Sequence, residues 1–214
     1  QRITDTGGGP VTDNYTIASG SNRLQSIATG GVTSRDFTYD AAGNLIEDDD
    51  IFASQTRVLA WNHAGQIASL TNNSVPQGAY AYDYLHRMVV RNIQSGVGTI
   101  HRVHDIFGNV IAEYHASGYL MTEYVWLEER PIAVIADAGG TPRTLWVHTD
   151  HLQRPILMTD DSGDPVWEAA YLPFGEVASI GGSEVLDYRF PGQWFQLEAG
   201  LAYNWHRHGA CPRA

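Results

Sequence analysis

The stretch FTYDAAGNLI, residues 37–46, sets a pattern that recurs about every 21 residues along most of the chain. The later copies are LAWNHAGQI at residues 59–67, YDYLHRM at 82–88, VHDIFGNVI at 103–111, and shorter forms at 136–140 and 159–166. Self-similarity at a fixed period is the signature of a repeat protein, in which each unit buries its apolar face against its neighbours.

Each copy has the chemistry of a tight turn between two strands. An Asp or Asn such as Asp40 accepts hydrogen bonds from the backbone that follows it, and glycine adopts a positive φ without strain. The flanking residues alternate between apolar and polar, which is typical of half-buried strands. We therefore predict positive φ at Gly43, Gly65 and Gly108. The predicted fold is all-β, with stacked antiparallel β-hairpins that form a curved sheet or partial shell.

Composition limits the classes of function. Of the 214 residues, 43% are hydrophobic, which is enough for a sizeable core and argues against whole-chain disorder. The formal net charge of −11 argues against nucleic acid as a partner, because phosphate binding needs a basic surface. All 13 basic residues are arginines. Schiff-base chemistry and a lysine-containing phosphate loop are therefore excluded.

The remaining global features concern redox state and location. The single cysteine, Cys211, is interpreted as a free terminal thiol, so no intrachain disulfide is expected. The sequence contains no run of 18 apolar residues, so no membrane span is predicted. No signal peptide is visible at the start of the sequence. We divide the chain into hairpin repeats (1–145), a segment of different character (146–208) and an off-pattern tail (209–214). All three are expected to form one continuous domain.

The Tyr-Asp-x-x-Gly-Asn units resemble the YD repeats of Rhs proteins, which are related to repeats in insecticidal toxin-complex shells and in teneurins. The second segment is similar to the Rhs-associated core domain. It carries HTDHL at residues 148–152, YLPFGE at 171–176, FPGQ at 190–193 and GLAYN at 200–204. The resemblance covers about residues 20–208.

In this family, hairpins stack into a spiralling sheet that encloses a toxin polypeptide. The resemblance therefore implies a structural or toxin-associated role, with further Rhs shell segments or an enclosed polypeptide as partners. It also implies a bacterial protein that is exported or lies at the cell surface. The family continues into an Asp-containing self-cleavage motif and a variable toxin. Because the sequence leaves the pattern after Arg207, we expect no self-cleavage.

An enzymatic alternative comes from the HTDH stretch. Metallo-hydrolases of the β-lactamase superfamily, which include lactone-opening enzymes, carry His-x-His-x-Asp-His as zinc ligands. His148, Asp150 and His151 match that motif, whereas Trp146 occupies the first His position. The alternative is a stand-alone Ca- or Zn-dependent hydrolase of small esters or lactones, with these three as catalytic residues. The structural alternative is that His148 and Asp150 cap a strand–turn junction.

Two further site hypotheses remain open. Asp160, Asp161 and Asp164 offer the oxygen ligands that Ca²⁺ prefers, although they also fall where a repeat turn is expected. A carbohydrate-binding surface could use exposed aromatic residues, which alternatively form cross-strand pairs and core. The aromatic candidates are Tyr80, Tyr82, Tyr84, Trp194 and Phe195. The structural hypothesis requires no cofactor, and no Gly-x-Ser-x-Gly motif indicates a serine nucleophile.

Overall fold

A computed structural model describes residues 2–5, 10–94, 96–172, 177–196, 198–205 and 207–210, with side chains for 11–94, 96–172, 177–196 and 198–205. Every helix or strand assigned in this part of the chain is a β-strand, so the all-β prediction is confirmed. Cys211, the PFGE residues at 173–176 and most of the predicted tail lie outside the described residues. The described chain forms two compact units, residues 1–77 and 78–214. The predicted division at residue 145 stays a prediction.

The first unit is an antiparallel meander in which each strand pairs with the next. Its strands are β1 (Arg2–Asp5), β2 (Pro10–Ile17), β3 (Leu24–Thr29), β4 (Val32–Tyr39), β5 (Leu45–Asp50), β6 (Gln55–Trp61) and β7 (Ile67–Asn72). Leu59, Ile67 and Leu70 are its most buried apolar side chains.

The second unit continues with the same kind of pairing, and β8 begins at the boundary. Its hairpin strands are β8 (Val75–Tyr82), β9 (Met88–Ile93), β10 (Gly98–His104), β11 (Val110–His115), β12 (Leu120–Leu127), β13 (Arg130–Ala136), β14 (Arg143–Thr149), β15 (Pro155–Thr159), β16 (Pro165–Tyr171) and β17 (Val177–Gly182). A small separate antiparallel sheet follows, formed by β18 (Trp194–Gln196), β19 (Leu201–Asn204) and β20 (Arg207–Ala210).

The repeat turns have the predicted geometry. Asp40 Oδ1 accepts a hydrogen bond from the backbone N–H of Asn44 at 2.8 Å, and the amide of Gly43 donates to the Asp40 carbonyl at 3.1 Å. The same turn recurs at Asn62, Asp83, Asp105, Asp150 and Asp160. Positive φ is confirmed at the three predicted glycines, with values of 96°, 74° and 94° in chain order. His86 and Gln153 occupy that position elsewhere, with φ of 65° and 61°.

An aromatic ring before several turns makes a hydrogen bond that the sequence pattern did not predict. The Tyr39 hydroxyl donates to the Leu24 carbonyl at 2.9 Å, from the last residue of β4 to the first residue of β3. Equivalent bonds run from Trp61 to Leu45, from Trp126 to Val110 and from Tyr171 to Pro155. Each ring therefore joins the end of one strand to the start of the antiparallel strand that precedes it. This bond favours Tyr or Trp at the position, because both carry a donor at the far edge of the ring.

Candidate functional site

The most concentrated arrangement of charged and aromatic side chains lies in the second unit. There, residues 186–196 and 198–205, which we call the covering segment, pack on the hairpin strands. Leu186, Tyr188, Trp194 and Tyr203 of this segment are all at most 5% exposed. Met88, Met158 and Trp167, on the strands, are at most 1% exposed. The interface between the covering segment and the strands is therefore the main core of this unit.

A buried ion cluster anchors the covering segment to β8 and β9. Arg91 makes a two-pronged contact with Glu198, at 2.9 Å and 2.6 Å, and its third nitrogen binds Asp187 at 2.7 Å. The Tyr80 hydroxyl donates to the same Glu198 carboxylate at 3.0 Å. Burial would raise the pKa of Glu198, but the hydrogen bonds and charge of Arg91 outweigh it and hold that pKa below its usual value. The planar guanidinium fork suits this geometry, which a lysine ammonium could not reproduce.

A second cluster lies on β10, β11 and β12. Arg102 donates to Glu113 at 2.8 Å, and the Tyr124 hydroxyl donates to the other carboxylate oxygen at 3.0 Å. The Arg102 guanidinium carbon lies 4.8 Å from the centre of the Trp194 ring of the covering segment. Burial, and then the charge of Glu113, raise the pKa of Tyr124 well above its usual value. Tyr124 is therefore a neutral donor at any physiological pH.

Arginine–aromatic stacking repeats at two more places along the covering segment. Arg154 lies 4.8 Å from the Tyr171 ring and 5.1 Å from the Phe190 ring. Arg189, which belongs to the covering segment, stacks against Trp167 of β16 at 5.8 Å. Such contacts contribute about 0.5–2 kcal/mol each, with the larger value applying to desolvated sites.

The end of the covering segment binds the backbone of the β8–β9 turn and lies over the β10–β11 turn. The backbone N–H of Met88 donates to the Tyr203 hydroxyl at 2.9 Å, and Trp205 Nε1 donates to the Leu85 carbonyl at 2.9 Å. The Trp205 ring lies directly over Gly108, where an added Cβ would be 2.7 Å from ring atom Cη2. A side chain at that turn position would therefore collide with the covering segment.

A cavity of about 40 Å³ remains between these groups, lined mainly by aromatic rings together with Arg87 and His104. Its aromatic lining consists of Trp126, Tyr188, Trp194, Tyr203 and Trp205. Burial, followed by the charges of Arg87 and Arg102, lowers the pKa of His104 to about 4. The His104 Nδ1 atom is buried and has no hydrogen-bond partner among the described residues. The imidazole is therefore neutral at neutral pH.

Comparison with known proteins assigns this architecture. No protein-family model matches the chain. Toxin protein Tse5 of Pseudomonas aeruginosa is 26% identical over 221 residues, which cover 87% of this chain and 16% of that protein. Double-stranded DNA deaminase toxin A of Burkholderia cenocepacia is 21% identical, over 94% of this chain and 19% of that protein. The chain thus spans less than a fifth of each of these two relatives.

Solved structures give the same fold. The Tc holotoxin pore of Photorhabdus luminescens matches with a TM-score of 0.54 and 14% identity, over 93% of this chain and 11% of that chain. A TcdB2–TccC3–TEV crystal structure matches with a TM-score of 0.55 and 14% identity, over 94% and 12%. The repeats and the fold thus agree with the resemblance to Rhs-type YD-repeat proteins. The first two relatives are bacterial toxins, and among the described residues no helix is long and apolar enough to cross a membrane.

The residues of the hydrolase hypothesis lie at one turn of the hairpin array. Asp150 Oδ1 accepts the backbone N–H groups of Leu152 and Arg154, while Oδ2 binds the Arg154 side chain at 2.6 Å. Burial would raise the pKa of Asp150, but the hydrogen bonds from Arg154 dominate and lower it. His148 Nε2 lies 3.0 Å from Thr159 Oγ1, and His151 is exposed. Both carboxylate oxygens of Asp150 thus already have partners in the turn, and the catalytic assignment stays a prediction.

The calcium hypothesis falls on another turn of the same kind. Asp160 Oδ1 accepts the backbone N–H groups of Ser162 and Asp164, and Asp161 Oδ1 accepts from Trp146 Nε1 at 3.1 Å. Within the described part of the chain, no three His, Cys, Asp or Glu side chains converge as a metal ion would require. Asp160 therefore acts as the cap of its turn, and the metal assignment stays a prediction.

The carbohydrate hypothesis requires exposed aromatic rings, but not all of its candidate residues are exposed. Tyr80 and Trp194 are buried beneath or within the covering segment, at 7% and 5% exposure, whereas Tyr84 is 86% exposed. A sugar could not stack on the first two without displacing the covering segment. Tyr80 and Trp194 thus agree with the alternative interpretation, in which these rings form part of the core.

Sequence reasoning missed the arginines that hold the covering segment. The partners of Arg91 and Arg102 in the covering segment lie about a hundred residues away along the chain, beyond the reach of any local pattern. One signal was nevertheless present, because every basic residue is an arginine. Arginine is the residue that these sites require, because it stays charged when buried, binds a carboxylate through two nitrogens and stacks on aromatic rings.

Proposed function

We propose that this chain is a structural segment of a toxin-associated YD-repeat shell, and that its covering segment locks the hairpins beside it. The observation that supports the proposal is the buried Arg91–Glu198–Asp187 cluster. Its charged groups have hydrogen-bond partners inside the protein, so they hold two parts of the chain together and are not free for catalysis. In the same region, Tyr80 and Tyr124 serve as neutral donors.

The association with a toxin rests on the relatives. Tse5 and the deaminase toxin are toxins by name, and each is several times longer than this chain. In a parent of that size, this segment would contact further shell segments and an enclosed polypeptide, and it would be exported with them. The chain would contribute a stable antiparallel array of hairpins. Its turns are capped by Asp or Asn side chains, and the covering segment packs on the hairpins of the second unit.

A chimera tests this role. Tse5 in which this chain replaces the matched stretch is expected to remain soluble and toxic. The control is a Tse5 chimera that carries the matched stretch of the deaminase toxin. A soluble, toxic control beside an insoluble or inactive chimera of this chain would contradict the proposal.

A substrate screen tests the enzymatic alternative. We expect no turnover of small esters, lactones or glycosides above the buffer rate, with Ca²⁺ or Zn²⁺ or with EDTA. The control variant replaces His148, Asp150 and His151 by Ala. Turnover that EDTA abolishes and this triple variant lacks would establish the hydrolase instead of the structural role.

A further inference from the structure

Two neighbouring turns of the second unit carry large apolar side chains at their tips. Tyr84 and Leu85 lie on the β8–β9 turn and are 86% and 41% exposed. Ile106 and Phe107 lie on the β10–β11 turn and are 90% and 77% exposed. We call these four side chains the tip patch. Apolar side chains at this exposure favour an interaction site when they are contiguous.

The turn itself does not require apolar tips. No other capped turn in the described part of the chain carries two large apolar side chains at its tip, and the turn at Asp160 carries Asp161 and Ser162 with the same backbone hydrogen bonds. The remaining tip pairs are Ala41–Ala42, His63–Ala64 and His151–Leu152. The apolar character of the tip patch therefore needs a reason other than folding of the turn.

Hydrogen bonds hold the backbone of the two turns that carry the tip patch. Asp83 Oδ1 and Asp105 Oδ1 each accept two backbone N–H groups of their own turns. Arg87 Nη1 of the first turn donates to the Asp105 carbonyl of the second at 3.0 Å, and Trp205 is bonded to the Leu85 carbonyl. A preorganised apolar surface loses little conformational entropy when it is covered.

The size and charge of the patch point to its occupant. The exposed fractions correspond to an area on the order of 500 Å², so two such patches face to face bury roughly 1,000 Å², the lower limit of a specific interface. The four tips are uncharged on a chain of net charge −11. The Asp83 side chain beneath them is paired with Arg87 at 2.7 Å. The Asp105 side chain beneath the second turn accepts hydrogen bonds from the backbone of Phe107 and Asn109 and from the Asn109 side chain. Contact between the tips of two like-charged copies therefore brings no charged tip side chain against another.

The spacing of the turns also favours a second copy. The two turns lie two strands apart in the sheet, or about 10 Å. A second copy presents its tips at the same spacing. We propose that the tip patch is a self-docking surface whose occupant is the same patch of a second copy of this chain.

Sedimentation analysis from about 5 to about 200 µM tests the proposal, since a weak interface assembles in this range. The weight-average mass of the wild type is expected to rise towards that of a dimer. The double variant Ile106→Asp/Phe107→Ser gives its turn the Asp-Asp-Ser-Gly sequence that the chain already uses at residues 160–163. It is expected to keep the circular dichroism and melting temperature of the wild type and to remain monomeric.

A relocation control separates a specific site from general stickiness. Adding Asp161→Ile and Ser162→Phe to the double variant moves the same two apolar side chains to a different turn, and this protein is expected to stay monomeric. Dimerisation that returns in it would overturn the proposal. So would a wild type that stays monomeric at about 200 µM, including one that binds phosphatidylcholine vesicles as a monomer.

Discussion

The hairpins of residues 1–77 and those of residues 78–214 use the same turn but are held by contacts of different range. In the first unit, Arg35 binds Asp48 at 2.5 Å across the neighbouring strands β4 and β5. In the second unit, Arg91 binds Asp187 and Glu198, 96 and 107 residues further along the chain. Local hairpin chemistry thus repeats along the sequence, whereas the covering segment depends on a few distant side chains. Substitutions at those distant contacts should therefore have the largest effects.

The largest effect is expected for Arg91→Leu. This change leaves the buried carboxylate of Glu198 without its cation, and loss of one partner of a buried pair costs about 3–5 kcal/mol of unfolding free energy. The matched control is Arg143→Leu, which removes an exposed ion pair with Glu184 in the same unit and should cost less than about 1 kcal/mol. Urea denaturation measures both. Equal losses would show that the Arg91 cluster does not anchor the covering segment.

The next effect compares two turn glycines of the second unit. Gly108 and Gly163 have φ of 94° and 86°, but only Gly108 lies beneath the Trp205 ring. Gly163→Ala should cost about 1 kcal/mol from backbone strain alone. Gly108→Ala should cost about 3 kcal/mol, because the ring must also move. Thermal unfolding of both variants measures the loss of stability. Equal losses in the two variants would show that the Trp205 ring does not lie over the Gly108 turn.

A smaller effect concerns pH. The pKa of His104 is about 4 in the folded protein, because of burial and then Arg87 and Arg102, and near 6.5 when unfolded. The unfolded state therefore binds more protons between these values, so His104 destabilises the fold as pH falls from about 6.5 to about 4. Asp83 and Asp105 partly offset the two arginines. We expect His104→Gln to flatten the dependence of unfolding free energy on pH in this window, by roughly 1 kcal/mol after allowing for partial exposure. An unchanged slope would contradict this role of His104.

The smallest effect is a gain in stability. Gln153 has φ of 61° at the turn position that holds glycine in other repeats. Gln153→Gly should relieve this strain and raise the unfolding free energy by up to about 1 kcal/mol. Leu152→Gly, one residue earlier and outside the left-handed region, is the control and should not stabilise. A gain in both variants, or in neither, would refute the strain argument.

How far the sequence predicts this molecule follows from the range of each contact. The capped turns at Asp40 and Asp105, and the positive φ after them, are predictable because every interacting atom lies within five residues. The contacts of Arg91 with Glu198 and of Arg102 with Trp194 were not predicted, because they join segments about a hundred residues apart. The sequence left Tyr80 and Trp194 open between an exposed surface and the core for the same reason, since burial beneath a distant segment leaves no local pattern.

The ring hydrogen bonds at Tyr39, Trp61, Trp126 and Tyr171 have a consequence for how such proteins diverge. At these places the fold depends on one ring donor, and at the capped turns on one turn oxygen, whereas the alternating positions between them accept many apolar residues. In the hairpins, selection should therefore act strongly on these few atoms, whereas the alternating positions can exchange one apolar residue for another. Identities of 26% and 21% to the two relatives agree with such exchange.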